Sequence, residues 1–176
     1  MSLSEDFHSH SDLDEPDATA QRAAALVNPV SGLANDFLNV YNEILMLIEM
    51  LPGMPDLADD ILAWRPCSYR AYFMQSQLPG RREALDAYAK LDSSFRALFE
   101  ASVEQLAECG DGAIREIASL LALGASDRDE QVGVVCGEWG LRIRQQLGAT
   151  EQLVNFGRVA CHRDPQDVVN ELFSAA

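Results

Sequence analysis

The chain has 176 residues, 48% of them apolar and 23% charged, which is enough for one domain with a real core and excludes wholesale disorder. Thirteen Lys and Arg stand against 28 Asp and Glu, giving a net charge of −15 and a pI near 4.4. A surface with that field repels phosphate backbones and anionic headgroups, so neither nucleic acid nor a membrane surface is an expected partner.

Other classes fall away on local grounds. The first residues, Met1 to Asp6, are acidic where a secretory leader would be basic and then apolar. The longest apolar stretch, Phe37 to Leu51, is interrupted by Asn39, Asn42, Glu43 and Glu49, which argues against a membrane span. Cys67, Cys109, Cys136 and Cys161 lie far apart, in neither a disulfide framework nor a zinc knuckle. A cytoplasmic protein without a cofactor is the expectation.

In chain order, residues 1–15 read as a flexible acidic tail and residues 16–176 as a single helical domain. An Ala-rich run from Asp17 to Val27 suits a short helix. Asn28-Pro29 offers a cap and a first-turn proline for the next. Residues 30–51 carry the strongest periodicity. At 100° per residue Leu33, Phe37, Tyr41, Ile44, Ile48 and Leu51 fall within one apolar arc wider than half the circumference. Such a helix must touch neighbours on more than one side, so it is predicted to be the centre of a bundle.

Pro52-Gly53-Met54-Pro55 ends that helix. Short helices follow over Asp56–Trp64, Ser68–Gln75 and Arg82–Leu91, the last after a Leu78-Pro79-Gly80 turn. Asp92-Ser93-Ser94 caps a helix in which Phe95, Leu98, Phe99, Val103 and Leu106 recur at helical spacing. Gly110-Asp111-Gly112 is expected to break or bend it before a further helix from Ala113 to Leu123. Gly124 to Asp127 is a stop and a new cap. A helix from Asp129 to Leu147, ended by Gly148, precedes short helices over Thr150–Phe156 and from Asp164-Pro165 to Phe173. The Val-rich Gln131–Cys136 has no partner strand in prospect and is taken as helix. The fold class is therefore all-α, a single-domain multi-helix bundle of about six to eight helices around a central apolar helix near 30–51.

Three features could carry function. Asp36, Asn39 and Glu43, at i, i+3 and i+7, fall within about 60° of one another on the wet face of the central helix. Oxygen ligands so spaced could serve a hard cation, although a bundle-core di-metal site would add Glu-x-x-His pairs and this helix holds no His. Residues 28–64 hold six acids and no Lys or Arg, whereas 65–96 hold Arg65, Arg70, Arg81, Arg82, Lys90 and Arg96 against three acids. The segments either neutralise each other as neighbours or leave the basic one as a site for an anion. Within it, Arg81-Arg82 behind Leu78-Pro79-Gly80 forms a candidate anion cradle. It lacks the Gly-rich loop of a phosphate-binding strand–helix turn. Gly133, Gly137 and Gly140 form a stripe on one helix, which suggests close approach of another helix.

His8 and His10 sit in the tail, and His162 beside Cys161 makes no catalytic dyad by adjacency. Without a catalytic signature, the leading expectation is a non-catalytic binding or regulatory protein acting on a protein partner or a small ligand. The competing ones are a metal- or ligand-dependent enzyme using Asp36, Asn39 and Glu43, and a self-associating helical protein, a homo-oligomer.

Overall fold

The computed structural model describes residues 26–122 and 128–157. Within them the chain forms six α-helices: α1 (Asn39–Met50), α2 (Ala58–Ala63), α3 (Tyr69–Gln75), α4 (Arg81–Ala89), α5 (Ser93–Ala122) and α6 (Arg128–Phe156). Short 3₁₀ turns at Asn35–Leu38 and Pro55–Leu57 lead into α1 and α2. Among the described residues β structure is limited to one isolated antiparallel bridge, Val27 to Ala34. The protein is an all-α multi-helix fold. No helix among these residues is long and apolar enough to cross a membrane.

The central helix begins later than its periodicity suggests. Asn28 does not cap a helix; its side chain accepts the Val30 N–H at 2.8 Å, and its carbonyl accepts that of Gly32. Gly32 sits at φ 73°, a left-handed backbone that glycine adopts without a Cβ penalty. The chain thus turns tightly over 28–34 before the 3₁₀ turn and α1. Asn28 and Ser31 tie this turn to the end of α6, through the carbonyls of Asn155 and Val154. The wide apolar arc survives the shift. Phe37, Tyr41, Ile44 and Ile48 are fully buried, and α1 packs against α2, α5 and α6.

Two expected breaks do not occur. Asp92 caps α5, its Oδ1 accepting from Ser94 N and Phe95 N, and the helix then runs unbroken through Gly110-Asp111-Gly112. Helix α6 likewise absorbs Gly148 and the segment after Thr150. Each interior glycine costs about 1 kcal/mol of helix propensity, less than the burial of a long helix face returns. At Gly110 and Gly112 the missing side chains are also filled. A Cβ on Gly110 would lie 2.8 Å from Trp64 Cζ3, and one on Gly112 would collide with the Trp139 ring. Two residues apart on a helix is about 200°, so α5 receives a tryptophan on each of two opposite sides.

α5 and α6 form an antiparallel pair, the most extensive helix contact in the molecule. Their buried polar link is sealed: Ser102 Oγ and Thr150 Oγ1 lie 2.8 Å apart, and Gln146 Nε2 donates to the Ser102 carbonyl. The core is one cluster centred on Phe37, whose ring meets those of Tyr41, Tyr69, Tyr72 and Phe99 edge-on at 5.4–6.2 Å. Edge-to-face contacts of this kind add about 0.5–1.5 kcal/mol each beyond area burial. The proposed tail over residues 1–15, the Ala-rich run from Asp17 to Val27 as far as residue 25, the stop and cap at Gly124 to Asp127, and the helix from Asp164 lie outside the described residues.

Candidate functional site: an aromatic groove along α5

One face of α5 presents Arg96, Glu100, Val103, Glu104 and Ala107, residues three or four apart that stack along a single side of a helix. Opposite them the chain is extended. Trp64 leaves α2 at ψ 144°, and Pro66 forbids the helical region to the residue before it. Ser68 then caps α3 by accepting the Ala71 N–H. Between this wall and α5 lies a groove of about 820 Å³. The rings of Tyr41, Tyr69, Tyr88 and Phe99 also line it.

These rings are held rather than loose. Tyr69 stacks on Tyr88 at 4.7 Å, and its hydroxyl oxygen accepts the Ala34 N–H at 2.8 Å. The Tyr41 hydroxyl donates to the Cys67 carbonyl. The Tyr88 hydroxyl donates to Glu100 Oε1 at 2.5 Å. Burial pushes the Tyr69 phenol up to about 12, the Ala34 N–H pulling the other way. Burial also raises Tyr41, Tyr88 and the Cys67 thiol, and the bond to Glu100 adds to the rise at Tyr88. At neutral pH the groove therefore offers neutral hydroxyls and a neutral thiol, groups suited to holding a ligand rather than to attacking one.

Its charges are unequally committed. Among the described residues neither Arg70 nor Arg96 makes an ion pair within 4.0 Å. Glu100 is engaged by Tyr88. Glu104 lies two turns along α5 from Arg96, about 12 Å by helix rise, so the α5 wall of the groove runs from a guanidinium to a carboxylate.

The residues singled out in the sequence lie elsewhere. Asp36 and Asn39 border a shallow cleft of about 210 Å³ with Asn35, Leu38, Asn42 and Glu151, but Glu43 does not line it. Asn39 and Glu43 are exposed. No group of three His, Cys, Asp or Glu side chains among the described residues is placed to hold a metal. Arg81 donates to the Ser76 carbonyl at 2.5 Å and so locks the 76–81 turn, while Arg82 projects from the surface. Neither lines the groove. The glycine stripe divides too: a Cβ on Gly140 would meet Glu49 Cγ at 3.4 Å, but Gly133 and Gly137 face open space.

In the sequence Arg70 and Arg96 are not distinguished from the rest of the basic stretch. The available signal is the placement of Arg96 one turn before Phe99 and two before Val103, on the same side of its helix. Comparison with protein-family models, with curated proteins and with solved structures finds no match.

Proposed function

We propose that this chain is a non-catalytic binding protein of the cytoplasm, and that its groove holds a small ligand with an aromatic or otherwise apolar body and one anionic group. One observation carries the reading: two guanidiniums without carboxylate partners, Arg70 and Arg96, line the same aromatic groove of a chain whose net charge is −15. A planar guanidinium fork left free beside aromatic faces is suited to a carboxylate, sulfonate or phosphate. The ligand's body would lie along the partly exposed Tyr88 ring, with Val103 and Ala107 beneath its far end. Burial of an apolar body supplies affinity, and the guanidiniums select for charge. The free thiols of Cys67, Cys109 and Cys136 suit a reducing compartment.

The test uses 8-anilinonaphthalene-1-sulfonate, an aromatic anion that brightens on leaving water. Saturable binding at micromolar concentration is expected, weakened at least tenfold in the double variant Arg70→Ala, Arg96→Ala, whose helical circular dichroism should be unchanged. The uncharged N-phenyl-1-naphthylamine should bind both proteins alike. Equal affinity of the anionic dye for wild type and double variant would refute the assignment.

A further inference from the structure

The groove leaves a second surface unaccounted for, on the far side of α1. Met46 and Met50 are 52% and 40% exposed, one turn apart, and Met54 at 47% continues the row beyond the helix end. The Met54 N–H still bonds to the Met50 carbonyl, which keeps it one turn further on. Met46 and Met50, with Met54 just beyond the helix end, present an exposed apolar ridge of flexible and polarizable side chains.

The stretch of chain that carries this ridge has charge of one sign. Residues 28–64 carry Asp36, Glu43, Glu49, Asp56, Asp59 and Asp60 with no Lys or Arg. Glu49 alone of these is ion-paired, with Arg144. The nearby bases are otherwise engaged: Arg142 lies over the Trp139 ring and near Glu138, and Arg65 donates to the carbonyls of Leu62 and Trp64. The exposed carboxylates of Glu43, Asp56, Asp59 and Asp60 are therefore left without ion pairs among the described residues.

We infer that this face docks a basic amphipathic helix of another protein. The spacing of the row, one methionine per turn, matches the i, i+4 anchors of a helix laid alongside α1, and thioether side chains adapt to whichever apolar residues arrive. Lys and Arg flanking that apolar stripe would meet the free carboxylates. Charge excludes the other occupants. A second copy would bring two acidic faces together across a two-fold axis. An anionic bilayer or a nucleic acid would be repelled by the same carboxylates.

The experiment uses an 18-residue Leu/Lys peptide patterned as an amphipathic helix, with the full chain labelled at its methionine methyl carbons. Of the five methionines, Met74, on α3, is 62% exposed and serves as the internal control. Titration should shift the methyl signals of Met46, Met50 and Met54 and leave that of Met74 in place. Affinity should fall about tenfold or more between 50 and 300 mM salt. The double variant Met46→Gln, Met50→Gln should weaken binding at least tenfold with an unchanged unfolding midpoint. A Lys peptide of equal charge without the amphipathic pattern should bind at least tenfold more weakly. The idea is overturned if the patterned peptide shifts Met74 equally, or if the Gln variant binds it as well as wild type does. It is equally overturned if sedimentation shows that the chain buries the row in a dimer at micromolar concentration.

Discussion

The glycines in the middle of α5 and those on the outer edge of α6 look alike in sequence, yet they meet opposite surroundings. Gly110 and Gly112 are buried, and each is the seat of a tryptophan ring. Gly133 and Gly137, in a helix of nearly equal length, look onto open space. The first pair is a packing device: the absent Cβ lets an indole lie against helix backbone. The second pair gives up helix propensity and receives no contact among the described residues in return. Local sequence cannot separate the cases, because the deciding atoms come from Trp64 and Trp139, 46 and 27 residues away respectively.

The two seats also differ from each other. Trp64 is 7% exposed, donates its indole N–H to the Val40 carbonyl at 3.1 Å and meets the Tyr41 ring at 5.8 Å. It has nowhere to go. Trp139 is only partly buried; it donates to Glu116 and carries Arg142 on its outer face, so it can swing outward. Gly110→Ala is therefore expected to cause the largest loss. Overpacking by about 1–3 kcal/mol, reduced by up to about 1 kcal/mol of helix propensity, should leave a clear drop in the denaturant midpoint. An unchanged midpoint would mean that the Trp64 seat is not tight.

Gly112→Ala should cost less, about 1 kcal/mol or under, because Trp139 yields. Its signature is spectroscopic: tryptophan emission should move to the red as that indole enters water, whereas Gly110→Ala should leave the emission maximum nearly fixed. Gly137→Ala should reverse the sign, stabilising by about 0.5–1 kcal/mol in thermal or denaturant unfolding. Destabilisation there would show that something covers the open stripe in solution.

A smaller effect concerns the residue before Gly137. Cys136 is 2% exposed on the dry side of α6, and burial raises its thiol from 9.0 to about 11. The folded state then keeps a proton that the unfolded chain releases, so this group's contribution is complete below about pH 9 and is lost as pH rises towards 11. Alkaline denaturation should begin in that window, and Cys136→Ala should flatten the decline with pH, whatever it does to stability at neutral pH. An identical pH slope in the variant would remove Cys136 as the cause.

The candidate site was only half legible for a related reason. The basic segment 65–96 stands out as charge, but nothing local marks Tyr69 within it as both core and groove lining, which it is in the fold. Arg81 and Arg82 looked like the likelier anion ligands because they follow a glycine turn. Once folded, Arg81 spends its guanidinium on the Ser76 carbonyl, and Arg96, a helix away, faces the groove instead. Asp36 lies in the 3₁₀ turn before α1 rather than on the helix that carries Asn39 and Glu43, and only Asp36 and Asn39 border a common cleft.

Sequence alone determined the helical class, the long buried arc of Leu33 to Leu51 and the proline and aspartate punctuation between the short helices. Those follow from periodicity, capping and backbone restriction, which act within a few residues. Where α1 starts, whether Gly110, Gly112 and Gly148 interrupt a helix, and which arginines remain free were decided in three dimensions. Each depends on a partner distant in the chain: the carbonyls of Val154 and Asn155 for the 28–34 turn, the indoles of Trp64 and Trp139 for the glycines of α5, and the Ser76 carbonyl for Arg81. A helix-propensity deficit of about 1 kcal/mol per glycine is real in the isolated strand of sequence, and it is outweighed once a long apolar face is buried against its neighbours.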